Sequence, residues 1–271
     1  MSNIIATSVY HNMVINEEGY ISSRGRNTYN QQLKAPTDNG YIAVSAGRSH
    51  SLALKQDGSL VSWGRDHYGQ VSKTPSSPSY VAMATGFCHS LAVKKDGSLF
   101  SWGCDKNNQV SGTPLDNGYI AVSGGCDHSL ALKQDGSLVA WGDDDNDQVS
   151  DTPSGNDFVA ISSGRYYNIA LKQNGSIVVW GEDVYGQVSN APTGANFIDV
   201  EAGWGHAIAI DQDGSLVCWG NNDYNQINHI PPGNDFVAVA AGCHNNLALR
   251  KDGSLFTWGI YTHSINNNDG A

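Results

Sequence analysis

No apolar run in this 271-residue chain approaches the roughly 20 residues of a helical membrane span, so no span is expected. Charge is sparse at 15% of residues, and cationic charge is scarcer still: 15 Lys and Arg stand against 26 Asp and Glu, a formal net charge of −11. Such an acidic chain repels nucleic acid phosphates, and direct DNA binding is not expected. The opening Met1-Ser-Asn-Ile-Ile-Ala lacks the basic region and long apolar core of a classical signal peptide. That predicts a cytoplasmic protein, or one translocated into a host cytoplasm by another route. Cysteine is limited to five residues, an odd number with no C-x-x-C pair, so free thiols in a reducing compartment are expected. No G-x-S-x-G, phosphate-binding loop, H-E-x-x-H or Cys/His/Asn constellation occurs. Neither an active site nor a cofactor is expected.

What the chain does have is a period. Trp-Gly pairs recur every 39 residues, at Trp63-Gly64, Trp102-Gly103, Trp141-Gly142, Trp180-Gly181, Trp219-Gly220 and Trp258-Gly259, with Arg24-Gly25 in phase ahead of them. Turn glycines such as Gly58 and Gly97, glutamines from Gln31 to Gln226 and prolines from Pro36 to Pro231 keep the same beat. Seven units, about 2–40, 41–79, 80–118, 119–157, 158–196, 197–235 and 236–271, therefore fill one predicted domain, 1–271, without insertion or deletion.

Each unit reads as an antiparallel meander. In the second, Tyr41–Ala46, His50–Lys55 and Ser59–Trp63 are short apolar runs separated by Gly47-Arg-Ser and Gln56-Asp57-Gly58. Gln70-Val-Ser72 is read as a further short outer strand. Weak polar alternation, as in Leu52-Ala-Leu54, fits sheets covered on both faces. Small sheets stacked around an axis satisfy this, and the fold class expected is all-β, a seven-bladed β-propeller. Ile4-Ile5 share the phase of Ala43-Val44, so blade 1 is expected to meet blade 7 directly. The tail from Tyr261 is a candidate outer strand, and an open solenoid is the alternative to closure.

The pattern Ala-Gly-x-x-His-Ser-Leu-Ala-Leu-Lys-Gln-Asp-Gly-Ser-Leu-Val-x-Trp-Gly, carried by Ser45–Val71, Thr85–Val110, Gly124–Val149, Ser163–Val188 and Ala202–Ile227, closely resembles the regulator of chromosome condensation repeat. The resemblance implies a seven-bladed propeller that binds proteins. The eukaryotic founder exchanges nucleotide on the small GTPase Ran and binds chromatin. Compact bacterial relatives include secreted β-lactamase inhibitors and effectors that activate Ran in host cells. The units here are shorter and uniform, and none carries the founder's protruding wedge. The resemblance implies a monomeric binding protein for a small GTPase such as Ran, with guanine-nucleotide exchange or activation as the outcome. Inhibition of an enzyme, or scaffolding without exchange, are the alternatives.

Strand direction assigns the faces. Turns after the first strand and segments after Trp-Gly leave the meander at one end; Asp-Gly hairpins and Thr-Pro linkers lie at the other. Lys-Gln-Asp-Gly-Ser recurs at the hairpin end, whereas the opposite loops diverge, as expected of a binding surface on a fixed frame. Those loops carry Tyr10, Arg48, Phe87, Arg165, Tyr166 and Trp204 in the turns and Tyr29, Tyr68, Tyr185, Tyr224 and Tyr261 after Trp-Gly. Tyr, Trp and Arg are the residues most enriched at interface hot spots. Asp143, Asp144 and Asp145, with Glu182, Asp183 and Asp223, place an acidic field on the same face, suited to a basic protein patch. The Asp143–Asp147 loop lacks the turn glycine and terminal glutamate of a calcium loop. His11, His50, His89, His128 and His206 share one phase, with Tyr167 and Asn245 substituting. One per blade, they radiate instead of converging on a metal, and a structural bond from each ring to nearby backbone is expected.

Overall fold

The computed structural model describes residues 4–25, 28–31 and 34–259. They form 21 strands in seven three-stranded antiparallel sheets, each a sequential meander, and no helix among them is long and apolar enough to cross a membrane. Blade 1 comprises Ile5–Thr7, His11–Ile15 and Ile21–Gly25; blade 2 comprises Tyr41–Ala46, His50–Lys55 and Leu60–Gly64; the pattern repeats to Leu255–Gly259 in blade 7. First strands of successive blades touch one another around the ring, which places them innermost.

The hairpins follow from their sequence. Gly58 sits at φ +91, where a Cβ is strained, and Asp57 Oδ1 accepts from the Ser59 N–H at 2.8 Å, fixing the reversal. The middle strand of every complete repeat is buried on both faces, as its unbroken apolar run requires.

Each hydrophobic cluster lies between two blades. Met13 and Ile15 of blade 1 pack with Tyr41, Val44 and Trp63 of blade 2, and six further clusters bridge the remaining interfaces. The last one joins Ile5 to Ala240 and Leu247, so blade 1 meets blade 7 and the ring is closed. It lacks a tryptophan, because Arg24 stands at that phase and is exposed.

Polar bonds repeat across the same interfaces. Trp63 Nε1 donates to the Gln31 carbonyl at 2.7 Å, and the five later in-phase tryptophans do the same 32 residues back, at 2.9 to 3.1 Å. The glutamine side chain is also used: Gln70 Oε1 accepts from the Tyr68 N–H at 2.8 Å. This accounts for the buried, in-phase glutamines.

Two expectations are corrected. Gln70–Ser72 forms a turn, not an outer strand, because the Val71 and Ser72 N–H groups donate to Asp66 Oδ1 at 2.8 and 2.9 Å and are lost to a ladder. The histidine rings bond side chains of the next blade, not backbone. Nε2 of His11, His50 and His89 lies 2.7, 3.0 and 3.0 Å from Oγ of Ser51, Ser90 and Ser129, and His128 and His206 reach Asn168 and Asn246 Oδ1 at 2.8 and 2.7 Å. Asn168 Nδ2 donates to the Gln148 carbonyl, which leaves its Oδ1 as acceptor and puts the proton of His128 on Nε2. Tyr167 is the variation: its hydroxyl donates to the His206 carbonyl, so backbone serves there. The expected tail strand from Tyr261 lies outside the described residues.

Candidate protein-docking face

The two ends of the ring separate the loops as strand direction predicts. At one end the segment after Trp-Gly bonds the turn after the first strand: Arg65 N–H to the Ser49 carbonyl at 2.8 Å, Cys104 to Cys88 at 2.9 Å, Asp143 to Asp127 at 3.0 Å, Glu182 to Tyr166 at 2.9 Å. At the other end the hairpin glycines of blades 1 to 6 accept from the next blade's first strand, as Gly58 does from the Tyr80 N–H at 3.0 Å.

Around the axis, the turns of the divergent end form a main-chain collar. Arg48 N–H donates to the Phe87 carbonyl at 3.2 Å, Phe87 to Gly125 at 3.0 Å, Cys126 to Arg165 at 3.0 Å, Arg165 to Trp204 at 3.3 Å and Trp204 to Gly242 at 3.1 Å. Gly47, Gly86, Gly125, Gly164, Gly203 and Gly242 make this approach possible. A Cβ on Gly86 would stand 2.1 Å from the His89 ring and 2.6 Å from the Gly125 carbonyl. The collar rings the axial mouth with one side chain per blade: Val9, Arg48, Phe87, Cys126, Arg165, Trp204 and Cys243.

Two aromatic–cation groups stand on this collar. The Arg48 guanidinium lies 4.5 Å from the Phe87 ring centre and 5.8 Å from Tyr10, whose hydroxyl accepts from it at 3.4 Å. Three blades away, Arg165 is held between Tyr166 at 4.6 Å and Trp204 at 4.8 Å. Trp204 stacks in turn on His244 at 5.6 Å, and His244 on Tyr224 at 4.0 Å. Burial holds the His244 ring below its ordinary pKa. Trp204 is therefore half-buried and wedged, not a freestanding ring.

Beside Trp204 a cleft of about 230 Å³ opens across blades 5 to 7, walled by Tyr185, Tyr224 and His244, with Asp223 at its rim. Gly205 is the reason for the space. Other blades carry Tyr10, Ser49, Cys88, Asp127, Tyr166 or His244 at that phase, and a Cβ on Gly205 would meet the Tyr185 ring at 2.9 Å. Tyr185 and Tyr224 are 45% and 37% exposed and available for contact.

The remaining predicted residues are less convergent. Tyr68 stands apart, paired with Lys106 at 5.4 Å. Asp144 is exposed but spends one oxygen on the Val149 and Ser150 N–H groups at 2.8 and 2.9 Å, as Asp66 does in blade 2. Asp143 accepts from Gln148 Nε2 at 2.8 Å and from Asn107 Nδ2 at 3.1 Å; burial, then the charge of Asp145, raises its pKa. Asp145 is exposed. No group of three or more His, Cys, Asp or Glu placed to hold a metal occurs among the described residues. Sequence reasoning missed Gly205, His244 and Asn221; the signal available was a lone glycine at a phase otherwise occupied by side chains.

The sequence pattern described as the Regulator of chromosome condensation (RCC1) repeat matches residues 41–70, 80–109, 119–148, 158–187 and 197–226. No curated protein matches the chain. Among solved structures, the chain is similar to the receptor kinase CR4 ectodomain of Physcomitrella patens, with TM-score 0.82, 21% identity and coverage of 95% of this chain and 73% of that one. The CRINKLY WD40 ectodomain of the Arabidopsis thaliana receptor kinase ACR4 gives TM-score 0.79 at 20% identity, covering 96% and 97%. Prp20p of Saccharomyces cerevisiae gives TM-score 0.68 at 20% identity, covering 81% and 72%. At these identities the likeness establishes a shared propeller fold.

Proposed function

Because the chain belongs to the regulator of chromosome condensation (RCC1) repeat family, we propose that it is a monomeric, single-domain docking protein whose divergent loop face binds a protein partner, most concretely a small GTPase such as Ran, and promotes its nucleotide exchange or activation in a cytoplasm, its own or a host's. One observation carries the reading. Repeats that keep Asp-Gly-Ser hairpins nearly constant at one end gather Tyr10, Arg48, Phe87, Arg165, Tyr166, Trp204, Tyr185 and Tyr224 at the other. Diversity confined to one face of a rigid ring is what selection for a partner leaves behind. The Prp20p structure was described together with that protein's binding properties toward Gsp1p and histones, which supports the choice of a GTPase. Acidic Asp145, Glu182 and Asp223 favour a partner with a basic patch and disfavour DNA.

The test is a pull-down with purified Ran followed by release of a fluorescent guanine nucleotide. Binding that weakens in Trp204→Ala and Tyr224→Ala, with accelerated release, supports the whole proposal. Binding without faster release leaves a docking or inhibitory scaffold, consistent with the uniform, wedge-free units. Absence of binding removes Ran.

A further inference from the structure

Cations are treated differently at the two ends of this ring. At the hairpin end Lys55, Lys133, Lys172 and Arg250 lie over the rings of Tyr41, Tyr119, Phe158 and Phe236 and are each also paired with an aspartate, Asp38, Asp116, Asp157 and Asp235; Lys94, over Phe100, is without an ion pair there among the described residues. At the loop end Arg48, Arg65, Lys106 and Arg165 lie over aromatic rings, and no ion pair within 4.0 Å among the described residues involves any of them. Shortage of carboxylates is not the cause, because Asp127, Asp143, Asp145, Glu182 and Asp223 occupy the same end.

Arg48 and Arg165 differ from the other two by position. Both line the axial mouth, three blade steps apart in a ring of seven, so they stand on nearly opposite sides of it. Their neighbours on the collar, Val9, Phe87, Cys126, Trp204 and Cys243, are apolar or weakly polar. Arg165 Nε is buried without a hydrogen-bond partner. A guanidinium carries more in-plane N–H groups than its neighbours use here: Arg48 gives one to the Tyr10 hydroxyl and Arg165 one to Tyr166, and the rest can grip a carboxylate in a bidentate fork. Desolvation by the apolar collar strengthens that bond, and an unpaired buried donor is costly until it is met.

We propose that the axial mouth is a receptor for a single acidic side chain, an Asp or Glu at the tip of a partner's loop, held by Arg48 and Arg165 while the outer acidic loops meet basic residues around it. The inference rests on the docking-face reading above and adds the chemistry of its centre. A phosphorylated or nucleic acid ligand is disfavoured by the acidic loops that surround the mouth. The rings pre-set both guanidinium groups, so little side-chain freedom is lost on binding.

The experiment selects binders to the intact protein from a displayed library of random twelve-residue peptides, then measures each synthetic peptide against the protein and its variants. The expected result is peptides with an Asp or Glu at one fixed position. Changing that residue to its amide should weaken binding at least tenfold. So should Arg48→Gln and Arg165→Gln. Arg48→Lys and Arg165→Lys, which keep the charge but not the fork, should weaken it less than the glutamine variants but measurably. Unchanged melting temperatures separate a lost contact from a lost fold. Peptides lacking a carboxylate, or carboxylate peptides indifferent to all four variants, overturn the proposal, as does recovery of no binder. Peptides that ignore the arginines but weaken in Tyr185→Ala and Tyr224→Ala would leave the docking face standing and remove only the acidic receptor. Peptides indifferent to every one of these changes would remove the face itself.

Discussion

Asn245 Nδ2 donates to Thr7 Oγ1 at 2.7 Å across the junction of the last and first blades. It also reaches Asn12 Oδ1 at 3.4 Å. Asn12 stands at the phase of Ser51, the partner of His11, so this contact completes the ring of bonds that the other blades make with histidine or Tyr167. The junction has the smallest apolar cluster and no tryptophan among the described residues, so its polar bond carries more of the closure. Asn245→Ala removes the donor to Thr7 Oγ1, which keeps its own bond to Asn12 Oδ1 at 2.6 Å, and should lower unfolding free energy by about 1 kcal/mol in urea titration. Asn245→His, which restores the residue of most other blades and can donate to Asn12, should cost less. Equal losses would show that the junction does not use the interblade pattern.

The five buried imidazoles set an acid limit. Burial lowers His11, His128 and His206 to about 4 and His50 and His89 to about 3. In the unfolded chain a histidine titrates near 6.5, so below that value the unfolded state binds more protons than the folded one. Their stabilising contribution is therefore complete above about pH 6.5 and lost as pH falls toward 4 and then 3. Unfolding free energy measured by denaturant titration should fall steeply below pH 6. His89→Gln, whose side-chain amide can still donate to Ser129, should flatten that slope; an unchanged slope would assign acid sensitivity elsewhere.

An opposite slope comes from the innermost strand of blade 6. Asp199 and Glu201 occupy phases that hold Ala43 and Ser45 in blade 2. Burial, then the charge of Asp199, pushes Glu201 up to about 8, and burial pushes Asp199 up to about 6. Both folded values exceed the unfolded ones, so stability is kept at low pH and lost as pH rises through the folded values. Glu201→Ser, the residue present at Ser45, Ser123 and Ser162, should raise unfolding free energy by on the order of a few kcal/mol at pH 9 and much less at pH 5. A gain independent of pH would mean relief of crowding, not of charge.

The period made the architecture legible before any coordinates, because a fixed repeat forces each unit to bury its face against a copy of itself. Strand bounds, the hairpin turns and the direct meeting of blades 1 and 7 follow from residues such as Asp57, Gly58 and Ile5. Two local features did not follow. Asp66 reads as one more polar loop residue, and nothing in its spacing says that it takes two N–H groups away from a fourth strand. Tyr41–Ala46 reads as a continuous buried run, yet a bulge between Tyr41 and Ala43 turns Ile42 outward to 43% exposure. On the loop face the residue types were readable, but their grouping was not. That Arg165 would be clamped by Tyr166 and Trp204, while Tyr68 stands apart, depends on which loops lean together. Such leaning is set by side-chain size at single positions, as Gly205 shows.

Two tryptophans separate frame from face. Trp141 is buried between blades 3 and 4 and donates to the Gln109 carbonyl at 3.0 Å. Trp141→Ala removes a large core side chain and its hydrogen bond to that carbonyl, at a cost of roughly 3–5 kcal/mol. Trp204 contributes to no interblade cluster; it is half-buried between Arg165 and His244, both of which stay partly exposed. Its removal frees Arg165 from one of its two rings while leaving the seven interfaces intact. Trp204→Ala should therefore change the thermal midpoint little and weaken a partner complex by over about 1 kcal/mol. Both variants are read by thermal unfolding and by titration against the captured partner. A large fall in midpoint for Trp204→Ala with unchanged affinity would make the Arg165–Trp204–His244 stack a packing element of the collar, and the docking face would then have to be sought in Tyr185, Tyr224 and the outer acidic loops.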